Sequence, residues 1–321
     1  MRGRVPVRMR VLAALKGGPD WDSMTPDQVV EARAPQERLR RSALGAFITG
    51  KPHRGARAVT HTLELPGRTL NVRVHRPVHA EPGLPLIVAF HGGGFISGVP
   101  EQDDWLLSHL AAECPAVVAS VDYRLAPEHP IPAAVEDARD AVPVLVARAG
   151  QWGADGTRLA LLGSSAGATL AVLTAFETRD LRTQVLINPQ LDWTDGVFAY
   201  PSFTDNADSP TATPANCRAV QRIALPAGFD ARAISPMFHD DLAGSAPTLI
   251  QSAGLDPLED QSPAYAARLR QAGVEVTLTR YPEATHGFLS MSGLIPAAAP
   301  ARAEILDHLR SRLSERSDVR R

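Results

Sequence analysis

The stretch RLALLGSSAGATLAVLTAF, Arg158 to Phe176, sets two serines side by side between two apolar runs. The first run, Leu159 to Leu162, has the length of a buried strand. The second, from Ala166 onward, carries Ala, Leu and Val at helical spacing. Between them lies Gly163-Ser164-Ser165-Ala166-Gly167, a strand-to-helix turn in which a serine flanked two residues away by glycine becomes a nucleophile elbow. Ser165 has Gly163 and Gly167 in those places. Ser164 would have Leu162 and Ala166, which crowd the bend. Ser165 is therefore the candidate nucleophile, with an ordinary Ser-Gly turn as the competing reading until partners are found.

Working outward, short apolar runs alternate with helix-patterned segments. Strand candidates are 86–90, 116–122, 159–162, 184–188, 248–254 and 274–281. Helix candidates are 103–113, 131–149, 166–179 and 261–272. This alternation predicts right-handed crossovers and a largely parallel sheet. Residues 56–65 and 68–77 alternate with period two across Pro66-Gly67 and read as an antiparallel edge hairpin. Helical runs span Pro26 to Phe47, with an interruption expected at Pro35. The cluster Arg38, Arg40 and Arg41 reads as a solvated face, because no aromatics interleave with it. From Asp192 to about Ile234 the alternation stops, and this segment reads as an insertion over the sheet's working edge. The tail 314–321 is expected to fray.

Composition bounds the function. The chain has 321 residues, 44% apolar and 21% charged, with a formal net charge of −2. No whole-protein field favours nucleic acid or an anionic membrane. Cys114 and Cys217 make no disulfide framework. The N-terminal apolar part, broken by Arg8 and Arg10, is too short for a signal h-region, and no run reaches a membrane span of about 18 apolar residues. A cytoplasmic protein is expected.

Three further motifs stand at the ends of strand candidates. Phe90-His91-Gly92-Gly93-Gly94-Phe95 follows 86–90 and offers unshielded backbone N–H groups for an oxyanion. A phosphate nest is the alternative, but no Lys or Ser/Thr follows in phosphate-loop pattern. Gly92 and Gly93, with Ala166 after the nucleophile, are the expected donors. A serine hydroxyl also needs a base and an orienting carboxylate. His286, in YPEATHGF, sits beyond the last strand candidate. His308 lies in a charged terminal helix and reads as surface, and His239 precedes a strand at the wrong edge. Among Asp256, Glu259 and Asp260, Asp256 is nearest the strand end. Glu259 and Asp260 suit the N-terminus of the next helix.

Taken together, HGGGF (91–95), DYRLAPEHPIPAAVEDA (122–138), GSSAG (163–167), LDPLED (255–260) and HGF (286–288) resemble the hormone-sensitive-lipase-like branch of the α/β-hydrolases, the bacterial family IV esterases. The resemblance covers roughly residues 58–315. It implies an α/β-hydrolase fold with a mostly parallel eight-stranded sheet and a helical cap. Residues 1–55 and 192–235 would form the cap, and 56–191 with 236–321 the catalytic part. It implies a triad of Ser165, Asp256 and His286, an oxyanion hole of Gly92, Gly93 and Ala166, and short-chain acyl esters as substrates. It further implies no metal or other cofactor, and a homodimer through the last edge strand. Two departures stand out: Ser164 replaces the usual Asp of the elbow, and Ala168 the usual last Gly. Arg124 and Glu128 have ion-pair potential in a segment otherwise read as structural, and His129 falls in a Pro-bracketed turn before the nucleophile. Phe95, Trp193, Phe198, Phe203 and Phe288 are candidate pocket walls, with core packing as the other reading. An amide or formamide hydrolase on the same residues, or a non-catalytic ligand receptor, are the competing functions.

Overall fold

The computed structural model describes residues 3–15 and 20–314; the expected fraying of the tail lies almost wholly outside them. The chain opens with α1 (Val7–Leu15), α2 (Pro26–Arg40) and α3 (Ala43–Thr49), followed by the hairpin β1 (Ala56–Leu65) and β2 (Arg68–Pro77). Then come β3 (Leu84–Phe90), α4 (Asp104–Glu113), β4 (Val117–Asp122), α5 (Pro132–Arg148), β5 (Ala154–Ser164) and α6 (Ala166–Ala175). After β6 (Thr183–Ile187) the alternation gives way to α7 (Pro201–Asp205) and α8 (Pro214–Ala224). It resumes with β7 (Thr248–Leu255), α9 (Gln261–Gln271), β8 (Val276–Thr285) and α10 (Ala298–Leu313).

The eight strands form one sheet in the order β1-β2-β4-β3-β5-β6-β7-β8. β1 and β2 pair antiparallel, β2 pairs antiparallel with β4, and every later pairing is parallel. β3 shows why the sheet sits where it does. Leu86, Val88 and Phe90 point into one core, against residues of α5, α6 and α9. Ile87 and Ala89 point into the other, against α4 and α10. A strand apolar on both faces is what a sheet covered on both sides requires. Each fully buried Leu, Ile, Val or Phe contributes roughly 1.5–3 kcal/mol.

Four local expectations are corrected. Pro35 does not interrupt α2, which runs on to Arg40. Glu31, whose carbonyl loses its N–H partner, is exposed to water as Pro35 is. The break comes at Ser42, whose side chain accepts from the Gly45 N–H and starts α3. Within the basic cluster Arg38 and Arg41 are exposed, but Arg40 is half-buried and burial lowers its pKa near Asp103. Arg124 and Glu128 do form ion pairs, though with other partners. Arg124 reaches Asp137 at 2.8 Å and Glu136 at 3.3 Å, and Glu128 pairs with Arg33 of α2 at 2.7 Å. Asp137 is fully buried and also holds Arg68 at 2.6 Å, so its charge is met from two sides. Finally, His308 is half-buried rather than exposed. Its Nε2 lies 2.7 Å from Thr183 Oγ1, and burial drops its pKa to about 4.

Candidate active site

Ser165 occupies the bend between β5 and α6 with φ 53° and ψ −119°, a conformation that a non-glycine residue holds only under constraint. The flanking glycines are what make the bend possible. A Cβ on Gly163 would fall 2.2 Å from Gly167 O, and one on Gly167 would fall 2.1 Å from Phe90 O. No side chain fits either place. The bend is pinned by the Ser165 N–H, which donates to Ile187 O at 2.9 Å, and by Ser165 O, which accepts from Gln190 N at 3.2 Å.

β7 and β8 lie beyond β6 in the sheet, and their C-terminal ends bring the other two residues to the same rim. Ser165 Oγ is 2.7 Å from His286 Nε2, and His286 Nδ1 is 2.7 Å from Asp256 Oδ2. An ionised carboxylate only accepts, so Nδ1 carries the proton and Nε2 is left to accept from the serine hydroxyl. Asp256 is 1% exposed, and its other oxygen accepts the Leu258 N–H at 2.9 Å. Glu259 and Asp260 are engaged elsewhere. Glu259 pairs with Arg280, and Asp260 accepts the Ser202 N–H at 2.8 Å. His239 stacks on Phe176, and His129 is exposed.

The glycine loop leaves β3, which neighbours β5, and so arrives beside Ser165: a Cβ on Gly92 would sit 3.4 Å from Ser165 Cβ. Among the described residues, the N–H groups of Gly92, Gly93 and Ala166 donate to no protein acceptor. The peptide that carries the Gly93 N–H is held by its carbonyl. Gly92 O accepts from Gln102 Nε2 at 3.1 Å and meets His91 Nδ1 at 2.9 Å. His91 is fully buried, which lowers its pKa to about 4 and keeps the ring neutral near pH 7. Tyr123 stacks on that ring at 4.2 Å and donates its hydroxyl to His91 O at 2.6 Å. Neither Gln102 nor Tyr123 was signalled as part of the site. Tyr123 stands in the motif read as structural, and Gln102 has no sequence mark at all.

Of the five aromatic candidates, Phe95, Trp193, Phe203 and Phe288 are buried and Phe198 is partly exposed. Phe95 packs on Trp193 at 5.0 Å beneath the glycine loop, and Trp193 Nε1 donates to Thr169 Oγ1. Phe198 and Phe203 meet edge to face at 5.1 Å, in a small cluster that includes Leu258. Phe288 packs against Tyr281. Ser164 is buried at the end of β5, beside Ser165.

Among the described residues, one cluster of metal-ligating types lies apart from this rim: His53, His109 and Glu113, with ligand atoms within 4.8 Å. Its donors are already committed. His53 Nδ1 accepts the Gly55 N–H at 3.0 Å, so its Nε2 must carry the proton of the neutral ring. Glu113 is taken by His109, and Arg302 adds positive charge close by.

A nucleophile elbow, a glycine loop after the adjacent strand and an imidazole between hydroxyl and carboxylate are the parts of an α/β-hydrolase. The comparisons agree: a family profile described as alpha/beta hydrolase fold matches residues 87–290. The chain belongs to the α/β-hydrolase family, in its hormone-sensitive-lipase-like branch. It is 36% identical over 252 residues to carboxylesterase NlhH of Mycobacterium tuberculosis, covering 75% of this chain and 78% of that one. It is 35% identical over 257 residues to an ethyl acetate hydrolase of Pseudomonas putida, covering 77% and 80%. Among solved structures, a thermostable esterase from Pseudomonas putida superposes with a TM-score of 0.85 at 27% identity, over 97% of this chain and 98% of that one. A hyperthermophilic esterase from Pyrobaculum calidifontis gives 0.85 at 32% identity, over 97% and 99%.

Proposed function

We propose that this chain hydrolyses short-chain carboxylic esters through an acyl-enzyme formed on Ser165. The observation that carries the reading is the unbroken chain from Ser165 Oγ through His286 to Asp256, with 2.7 Å at each step. Ester hydrolysis is also the activity named for the curated relatives at 34–36% identity.

His286 accepts the Ser165 proton as the oxygen attacks the ester carbonyl, and Asp256 stabilises the imidazolium that forms. The carbonyl oxygen, now an oxyanion, takes hydrogen bonds from the N–H groups of Gly92, Gly93 and Ala166. Each such donor is worth roughly 3–4 kcal/mol at the transition state. His286 then protonates the departing alcohol. Water, deprotonated by the same imidazole, attacks the acyl-serine and frees the acid. Every step is a proton transfer or an acyl transfer among these groups, so the reaction needs no cofactor.

Residues 1–55 and 192–235 serve in this reading as the cap. Arg222 of α8 reaches Trp21 O and Met24 O, and Arg33 of α2 reaches Ile96 O beside the glycine loop. Phe198 is the aromatic candidate with surface left for an acyl chain. Phe95, Trp193, Phe203 and Phe288 shape the space from behind. The unpaired side of β8 is the proposed homodimer edge, which sedimentation tests. A cytoplasmic location suits the two unpaired, buried cysteines. No helix among the described residues is long and apolar enough to cross a membrane.

The test is a p-nitrophenyl ester series from acetyl to palmitoyl, run with Ser165→Ala, Ser164→Ala and His286→Ala. Turnover that peaks at acetyl to hexanoyl, vanishes in Ser165→Ala and His286→Ala, and survives Ser164→Ala is expected. Unchanged turnover in Ser165→Ala overturns the proposal. Aryl formamides and anilides in the same plate report whether the leaving group extends to nitrogen.

A further inference from the structure

Three buried side chains from one short segment donate to three successive backbone carbonyls around Asp256. Ser209 Oγ donates to Leu255 O at 2.8 Å, Asn206 Nδ2 to Asp256 O at 3.0 Å, and Ser202 Oγ to Pro257 O at 2.6 Å. Ser202, Asn206 and Ser209 are all at most 5% exposed. The same segment is tied a fourth time where the Ser202 N–H meets Asp260. Asn206 Oδ1 has no partner, so donation to Asp256 O is the one hydrogen bond its side chain makes. The segment belongs to the region between β6 and β7, whereas the carbonyls belong to the loop that follows β7.

The loop has one turn of its own, in which the Glu259 N–H shares Asp256 O with Asn206 at 3.0 Å, but no backbone N–H donates to Leu255 O or Pro257 O from within it. Pro257 lacks an N–H, and the ladder between β7 and β8 is irregular between Ala253 and Leu255. The Asp256 carboxylate must nevertheless hold one oxygen on His286 Nδ1 and the other on Leu258 N. A rotation of the 255–257 backbone would move both.

We infer that Ser202, Asn206 and Ser209 are positioning residues that aim Asp256 at His286, and so make the proposed cap segment part of the catalytic geometry. The inference rests on the triad reading given above. These residues touch neither substrate nor the reacting atoms; they act through the loop backbone. Displacing a catalytic group by about 1 Å costs on the order of a hundredfold in rate.

The experiment compares Asn206→Ala, Ser209→Ala, Ser202→Ala, the last two combined, and Ser202→Thr with wild type, using Asp256→Asn as the reference. Each is assayed on p-nitrophenyl butyrate for kcat and KM separately, with thermal melts alongside. In Asn206→Ala, and in Ser202→Ala combined with Ser209→Ala, kcat should fall roughly tenfold or more with KM within about threefold. Ser202→Thr keeps the hydroxyl and should stay near wild type. If Asn206→Ala does not fold, the Ser202 and Ser209 variants carry the same test with one donor removed at a time. Lower melting temperatures with unchanged kcat, while Asp256→Asn is inactive, overturn the inference and leave the triad standing. A fully active Asp256→Asn overturns the triad reading, and the inference falls with it.

Discussion

Replacing Asp103 with asparagine should make the protein less sensitive to rising pH. Asp103 precedes α4, is 7% exposed, and accepts the Ser290 hydroxyl at 2.5 Å. It thereby joins the chain that follows the glycine loop to the turn that follows His286. Burial raises its pKa from 3.8 to about 6, against the opposing pull of Ser290 and Arg40. A carboxyl whose pKa is higher in the folded chain than in the unfolded one contributes stability that is complete below pH 3.8. That contribution is lost as pH rises through 6. At 1.36 kcal/mol per pKa unit the full loss is about 3 kcal/mol, and about 2 of that falls between pH 4 and pH 8. For a chain of this length that corresponds to about 3 °C in Tm. The amide introduced by Asp103→Asn has no proton to lose. Asp122, raised to about 6, and His91 and His308, both lowered to about 4, also titrate. They are common to both proteins and cancel in the difference. Calorimetric melts of wild type and Asp103→Asn from pH 4 to pH 8 should show the variant gaining about 3 °C on wild type as pH rises. A difference that stays flat, or that changes sign the other way, refutes the reasoning.

The elbow should tolerate no methyl group: Gly167→Ala would set a Cβ 2.1 Å from Phe90 O, so soluble yield and esterase activity should both collapse, as expression and ester assays would register. Removing the carboxylate of Asp137 in Asp137→Ala leaves Arg68 with Asp140 and Arg124 with Glu136, and takes from each its buried partner. It should cost roughly 1.5–3 kcal/mol in urea unfolding, with KM unchanged in what remains folded. Gln102→Ala frees Gly92 O from one of its two hydrogen bonds and should lower kcat about fivefold, the equivalent of about 1 kcal/mol, with little change in KM or Tm.

Much of this architecture is readable in the chain because local signals and global fold agree. The run at 86–90 is apolar on every residue and the one at 184–188 on its three central residues, which only a sheet covered on both faces can use. Because parallel strands collect their loops on one rim, a serine, an aspartate and a histidine placed just beyond three of them are bound to end near one another. What the sequence hides depends on distant partners. Glu128 meets Arg33 from 95 residues away, and Arg124 turns instead to Asp137 on the helix that follows. His308 reads as exposed in a charged helix because Thr183, the residue beneath it, lies 125 residues earlier. Pro35 reads as a stop because its lost hydrogen bond carries no mark of whether water will replace it. The short polar residues of 202–209 resemble any loop, since Ser and Asn are ordinary there and their acceptors lie some fifty residues downstream.

The strain at Ser165 gives the region after β6 a second duty. A non-glycine residue at φ 53° stores about 1–3 kcal/mol, and it stays there only while its surroundings leave no alternative. Part of that constraint comes from Gln190, whose N–H holds Ser165 O, and whose own carbonyl accepts from Thr169 Oγ1 at 2.5 Å. Gln261, at the start of α9, fixes the next residues by accepting from Leu191 N and Asp192 N at 2.7 and 2.8 Å. A few residues later the same stretch of chain supplies Ser202, Asn206 and Ser209 to the loop of Asp256. One continuous segment, 188–209, therefore touches the backbone of Ser165 at one end and the backbone of the Asp256 loop at the other. Both ends belong to one hydrogen-bonded stretch, so the distance between hydroxyl and carboxylate is braced by that stretch as well as by the sheet. The imidazole between them has only to fill a gap whose width is already determined.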